Sequence, residues 1–322
     1  MAWRLKLVPE VTHIDFFRVQ WLTFGLSIFL IVASIGIVAV KGLNFGVDFL
    51  GGTTIRTEST TPVDVGAYRD ALAPLDLGDV TITEVNDPGF RDDQHVAQVR
   101  IGAREGEQAV TSDAIEEAET ALKAVDPAIV FAAVESVGPK VSGELILWAI
   151  VAVGAGSLGI LIYIWMRFEW QMAVGTVAAM LHDVIVTLGI FSLFELRFDL
   201  SIVAALLTIL GYSVNDTVVI FDRLRENLAK YKTMPLREMM NLTANETLSR
   251  TVMTASTTLI SLTVLIIWGG DVIRGFVFAM ILGVVLGTYS TLYMAKNIVL
   301  FLGVDRGDKP KKSASEFADV DA

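Results

Sequence analysis

Six stretches of about 20 predominantly apolar residues constrain this chain more than any other feature. A bilayer hydrocarbon core about 30 Å thick is crossed by roughly 20 residues in a helix. Apolar residues make up 53% of the 322 residues, above the roughly 45–50% of a soluble domain. The first run is too long for the roughly 7–15-residue core of a signal peptide, so we expect it to stay as a span. The sequence therefore predicts a polytopic α-helical membrane protein with six transmembrane helices, at 19–40, 145–166, 171–194, 200–221, 251–268 and 276–302.

The distribution of basic residues predicts the orientation of these spans. Cytoplasmic loops carry an excess of Lys and Arg, and the basic residues outside the spans fall mainly on one side: in the N-terminal arm, at Arg167, in residues 222–250 and in the tail. Both termini are therefore predicted to be cytoplasmic. The opposite side receives a long acidic insertion, residues 41–143, with 8 Lys/Arg against 18 Asp/Glu. The predicted divisions are an arm (1–18), the first span (19–40), an exported domain (41–143), five further spans (144–302, with a cytoplasmic segment at 222–250) and a tail (303–322).

The exported insertion has the pattern of a small α+β domain. Apolar alternation indicates strands and helical spacing indicates helices, and together they give the order β-α-β-β-α-β, which is the ferredoxin-like arrangement. The predicted strands are 53–58, 80–85, 96–101 and 129–137, and the predicted helices are 63–75 and 112–125.

Ionisable side chains inside the spans are the candidate functional residues. A charge at mid-bilayer costs about 2.5–3.5 kcal/mol on insertion scales, so such residues need a functional explanation. Asp216 in the fourth span and Arg250 at the start of the fifth are predicted to lie toward the same side of the membrane, with Asn215 beside Asp216. Because Arg stays charged, Asp216 would be the group that carries a proton. The alternatives are a permanent Asp–Arg pair that joins two helices, or an Arg that extends to the interface.

His182 and Asp183 form a second ionisable pair, in the middle of the third span. They could extend a proton relay, or they could hydrogen-bond to neighbouring helices. The residues leave both interpretations open.

Several other classes of function are not supported. The chain has no cysteine, which excludes disulfides, thiolate metal sites and cysteine nucleophiles. The glycines at 46, 51 and 52 match neither the Walker pattern nor a complete GxGxxG, so no ATP site, cofactor or enzymatic activity is expected. The amphipathic run 236–248 is predicted to lie at the membrane interface.

Four blocks of sequence resemble the SecD/SecF family of protein-export membrane proteins, within the RND transporter superfamily. They are FGVDFLGGT at 45–53, VGPKV at 137–141, GYSVNDTVVIFDR at 211–223 and SRT at 249–251. The layout matches over nearly the whole chain, and the third block is the most specific.

This resemblance implies a subunit of the Sec translocase accessory complex in the bacterial inner membrane, with the large loop in the periplasm. It implies SecD, which carries a matching six-span half, the SecYEG channel, YajC and unfolded preprotein as partners, and no nucleic acid. It also implies that Asp216 and Arg250 match the family's proton-transport residues, so that the proton motive force would assist late steps of translocation.

Two other functions remain open from the residues. A half-size RND exporter of small molecules would share the relay but would need a substrate-lined exported cavity. A scaffold would stabilise the translocase without transporting ions.

Overall fold

The computed structural model of the protein describes residues 9, 12–85, 90, 91, 93–102 and 111–304. Most of the predicted tail, with Lys309, Lys311 and Lys312, lies outside the described residues, as does the start of the predicted N-terminal arm.

The first long helix leads into a small α/β domain. The elements of this part of the chain are α1 (Gln20–Lys41), β1 (Asn44–Phe45), α2 (Val47–Leu50), β2 (Gly52–Ser59), α3 (Val65–Leu72), β3 (Val80–Val85), β4 (His95–Ile101), α4 (Ser112–Val125) and β5 (Val130–Val137). Strands β2 to β5 form an antiparallel sheet in the order β3-β4-β2-β5, and α3 and α4 share one apolar core with it. This order confirms the prediction of a ferredoxin-like domain.

The rest of the described chain is almost entirely helical. Six helices in the described residues are long and apolar enough to cross a membrane, as the sequence predicts. The last of them contains a π-helical turn, which divides it into three parts. The elements are α5 (Pro139–Arg167), α6 (Trp170–Leu193), β6 (Arg197–Phe198), α7 (Leu200–Lys230), α8 (Leu236–Trp268), α9 (Asp271–Ser290), the π-helical segment Thr291–Ala295 and α10 (Lys296–Leu302).

The amphipathic run 236–248 does not form a separate interfacial segment, which corrects the sequence prediction. It is the first part of the continuous helix α8. Met239 and Met240, on its apolar face, are buried in the same core as residues of α6 and α7. An amphipathic pattern shows only that one face is buried, and here protein covers that face.

The α/β domain is attached to one end of the helix bundle by a few contacts. Strand β1 pairs in parallel with β6 over two residues, and the rings of Phe45, Phe49 and Phe198 pack with centroids 5.7–5.8 Å apart. Arg197 donates to a carboxylate oxygen of Glu135 at 2.8 Å. We call this end of the bundle the domain side.

A buried hydrogen bond makes the stability of the domain dependent on pH. Tyr68 donates its hydroxyl proton to Oδ2 of Asp126 at 3.1 Å, and both residues are buried. Burial favours the neutral acid, but hydrogen bonds from Ser59, the Ala128 N–H and Tyr68 outweigh it and hold the pKa of Asp126 below its ordinary value. Asp126 therefore stabilises the fold above the unfolded pKa of about 3.9, and this contribution is lost as the pH falls through the lower folded value.

We expect Tyr68→Phe to lower the free energy of unfolding of the domain by about 1–2 kcal/mol at neutral pH, the cost of leaving a buried acceptor with one partner fewer. Loss of stability below about pH 4 should also be shallower. Protease susceptibility of the domain in the full chain, measured against pH, checks both effects. Tyr163→Phe, at an exposed position of α5, is the control, and equal susceptibility of the two variants would contradict the prediction.

A close approach between α1 and α6 predicts a second sensitive position. A Cβ at Gly189 would lie 2.7 Å from the Cα of Ser34 in α1, whereas a Cβ at Gly154 in α5 meets nothing within 4 Å. Gly189→Ala should therefore lower the free energy of unfolding by about 1–3 kcal/mol, as overpacking does. Gly154→Ala should change it little. Thermal unfolding in detergent measures both, and equal midpoints would show that α1 does not pack on α6 this closely.

Candidate functional site

A fully buried polar cluster lies where α6, α7 and α9 meet. The carboxylate of Asp183 accepts hydrogen bonds from the hydroxyls of Ser213, at 2.7 Å, and Ser290, at 2.9 Å. Its other oxygen lies 2.9 Å from Nδ1 of His182, and the Asp183 and His182 side chains have no exposed surface. Since an ionised carboxylate only accepts hydrogen bonds, Nδ1 carries the hydrogen in that state. We call His182, Asp183, Ser213 and Ser290 the polar cluster.

Two threonines extend this polar region along α7 toward Asp216. Thr217 and Thr291 share a hydrogen bond of 2.8 Å between their hydroxyls, and Thr217 also donates to the Ser213 carbonyl at 3.0 Å. Both threonines are buried. Hydroxyls from α7 and from the π-helical segment therefore meet one residue away from Asp216.

Asp216 is buried, but one of its carboxylate oxygens lacks a hydrogen-bond partner among the described residues. Its side chain is 3% exposed, and the oxygen in question is Oδ2. Arg250 on α8 is exposed, and its charge acts on the Asp216 carboxylate. No ion pair within 4.0 Å joins these two side chains in the part of the chain that the structure describes. The geometry is therefore that of a carboxylate near a cation, without a direct pair.

Some other polar residues of α7 and α8 are exposed. Asn215 is exposed although Asp216 beside it is buried, so the two neighbouring side chains lie on different sides of α7. We define the polar stripe as a set of exposed residues on these two neighbouring helices: Thr208 and Asn215 on α7, and Arg250, Thr257 and Ser261 on α8.

Sequence reasoning found the ionisable residues and missed the serines that hold one of them. Ser213 and Ser290 are small residues of a kind common in packed membrane helices, and nothing in the residues alone distinguishes them from packing contacts. Within the described residues, no group of three or more His, Cys, Asp or Glu side chains could hold a metal ion.

The arrangement combines two buried carboxylates with different surroundings. Asp183 has three hydrogen-bonding neighbours, whereas Asp216 keeps an oxygen without one. A carboxylate that is buried near a fixed positive charge can change its protonation when its surroundings change. Such a group can bind and release a proton inside a membrane.

Similarity to known proteins shows the family to which the chain belongs. The family described as protein export membrane protein SecD/SecF, C-terminal, matches residues 117–305, and the SecD/SecF GG motif matches residues 36–63. The chain belongs to the SecD/SecF family. The protein translocase subunit SecF of Cereibacter sphaeroides is 66% identical over the whole of both chains. The SecF of Escherichia coli O157:H7 is 37% identical over 91% of this chain and 88% of that protein.

Solved structures in the family have the same fold. The crystal structure of SecDF from Thermus, described as a translocon-associated membrane protein, superimposes with a TM-score of 0.80 at 33% identity. The match covers 92% of this chain and 39% of that one. The protein translocase subunit SecDF of Brucella abortus is likewise longer, since this chain covers 39% of it at 36% identity.

Proposed function

We propose that this chain is a subunit of the protein translocase that uses a proton gradient to assist late steps of preprotein translocation across the bacterial inner membrane. The observation that carries the proposal is Asp216, a buried carboxylate within a membrane span with an unpartnered oxygen near Arg250. The sequence has no Walker pattern for using ATP directly.

Asp216 is the proton carrier in this proposal. Arg250 keeps its charge at any working pH, so its distance from Asp216 controls how strongly it favours the ionised carboxylate. A small movement of α8 against α7 would change that distance and with it the tendency of Asp216 to hold a proton. Asn215 lies at the exposed surface next to Asp216, where it can orient water that enters from the partner interface.

Asp183 and His182 are proposed to extend this relay into the bundle. Thr217 bonds to Thr291 and to the carbonyl of Ser213, a member of the polar cluster, and it directly follows Asp216 in α7. A hydroxyl both donates and accepts hydrogen bonds, so a chain of hydroxyls can pass a proton.

The polar stripe is the proposed contact with SecD. The exposed amide of Asn215 and guanidinium of Arg250 are unfavourable in contact with lipid unless protein or water satisfies them. The longer SecDF relatives support SecD as a partner. The SecYEG channel, YajC and the unfolded preprotein are further proposed partners of the assembled complex.

The proposed orientation places the α/β domain in the periplasm and both termini in the cytoplasm. Basic residues gather at the end of the bundle opposite the domain side, and cytoplasmic ends carry such an excess. They include Arg167, Arg223, Arg225, Lys230 and Arg237.

In this proposal, the free energy of proton movement shifts the domain. The contacts that seat it include a two-residue ladder and the partly exposed pair Arg197–Glu135, and such ion pairs contribute about 0–1 kcal/mol. One charge that crosses about 100 mV supplies about 2.3 kcal/mol. Transfer of a few protons could therefore move the domain between two positions and pull on a bound preprotein.

The direct test is export of a reporter preprotein into vesicles with and without this chain, each with and without an imposed proton gradient, at equal SecD and SecYEG. We expect the gradient to accelerate late export only when the chain is present. Export that depends on the chain but not on the gradient would favour the scaffold. Gradient-driven efflux of small apolar compounds without SecD would favour the half-size exporter.

A further inference from the structure

A strap formed by residues 12–19 binds across the end of the bundle opposite the domain side. Asn245 on α8 pairs with the backbone of Ile14 through two hydrogen bonds of 2.8 Å, one to its N–H and one to its carbonyl. Asn241, one helical turn earlier, accepts from the Phe16 N–H at 2.9 Å. The side-chain amides thus hydrogen-bond to the backbone of the strap as a neighbouring β-strand would. These bonds fix the position of the strap on α8.

The strap closes an aromatic cage around a buried lysine. Nζ of Lys296 lies 4.3 Å from the centroid of the Phe17 ring and 4.6 Å from that of Phe16. Lys296 is 1% exposed, and its Nζ has no hydrogen-bond partner among the described residues. The acidic side chain that acts on its charge is Asp15, also in the strap. Burial of an ammonium group is costly unless its charge is compensated, and two desolvated rings supply a strong cation–π interaction.

Lys296 directly follows the π-helical segment, which connects the cage to the polar cluster. At its start, Ser290 donates to Asp183 and Thr291 bonds to Thr217. At its end, the segment passes so close to α6 that a Cβ at Gly175 would lie 2.8 Å from the Ala295 carbonyl oxygen.

A π-turn holds one residue more than an α-turn and is often found at functional sites. If it relaxed to an α-turn, the parts before and after it would rotate against each other by about 100°, the angle of one residue. The hydrogen bonds of Ser290 and the cage of Lys296 could then not both be kept.

We propose that Lys296 is a positioning residue of the relay: held by Phe16 and Phe17, it fixes the register of the π-helical segment and so keeps the hydroxyls of Ser290 and Thr291 on the relay side chains. This inference rests on the proposed function, because it assigns to the strap a role in the same proton path. The strap thereby connects the N-terminal segment to a carboxylate in the middle of the bundle.

A double-mutant cycle with Lys296→Leu and Ser290→Ala tests the inference, with gradient-driven export at equal amounts of assembled complex as the readout. In each single variant, gradient-driven export should fall about tenfold, which is the effect of losing one hydrogen bond to a charged group. The double variant should be no worse than the poorer single variant, because both changes remove the same contact. Losses that multiply, or an unchanged Lys296→Leu variant, would overturn the inference.

Two further variants separate positioning from general stability. Lys296→Arg keeps a cation over the rings and should retain most of the gradient-driven export, whereas a loss as large as in Lys296→Leu would count against the cage. Lys230→Leu is the matched control, since Lys230 makes an exposed cation–π contact with Tyr231, 4.9 Å from the ring centroid. This variant should leave export unchanged. A loss of export as large as in Lys296→Leu would show that the effect is not specific to the buried lysine.

The two proposals fail in different ways. If Asp216→Asn and Ser290→Ala both leave gradient-driven export intact, the relay itself is wrong. If those variants lose it and Lys296→Leu does not, only the positioning role is wrong.

Discussion

Asp216→Asn is expected to abolish the gradient-driven part of preprotein export while leaving the amount of assembled complex unchanged. An amide of the same size cannot take up and release a proton. Because Oδ2 of Asp216 has no partner in the described structure, the substitution breaks no hydrogen bond at that atom and should cost little stability. Loss of one coupled charge across about 100 mV removes about 2.3 kcal/mol, or about 50-fold in an equilibrium.

The measurement compares export into vesicles with and without the gradient for the native chain, Asp216→Asn and the control Asp70→Asn, whose carboxylate is exposed on α3. Only Asp216→Asn should lose the response. A normal response in this variant, with SecD still bound, would rule out Asp216 as the carrier and favour a scaffold.

Much of the fold follows from the sequence because the bilayer permits few solutions. An apolar run as long as 171–194 is best explained as a membrane-spanning helix. It forms α6 within one residue of the predicted bounds. The order of elements in the domain was predictable because apolar alternation marks strands and helical spacing marks helices. The run 236–248 was assigned wrongly because amphipathicity does not say whether lipid or protein covers the apolar face.

The candidate site was only partly predictable. Asp183 and Asp216 stand out because charge is costly in a bilayer, but the sequence does not show that Asp183 is held by two serines and Asp216 is not. Those contacts depend on how α6, α7 and α9 are rotated, which single-helix periodicity leaves free. The π-turn before Lys296 is likewise invisible in the sequence, so nothing in the sequence distinguishes this lysine from an ordinary residue near the end of the last span.

The different surroundings of the two carboxylates predict different consequences of their removal. Asp183→Ala should destabilise the protein by about 3–5 kcal/mol, because it leaves the buried donors of Ser213, Ser290 and His182 without their acceptor. Asp183→Asn should be milder, since its carbonyl still accepts and a serine hydroxyl can accept from its amide. Unlike Asp216→Asn, the alanine variant should therefore reduce the amount of folded chain in the membrane.

Thermal unfolding in detergent and the level of chain in the membrane measure this difference. Thr263→Val, which removes an exposed hydroxyl of α8 bonded only to its own helix at the Leu259 carbonyl, is the control and should behave as the native chain. If Asp183→Ala unfolds at the native temperature, the polar cluster does not join the three helices energetically. Its hydrogen bonds would then serve proton transfer alone, and loss of gradient-driven export without loss of stability would be the result that shows it.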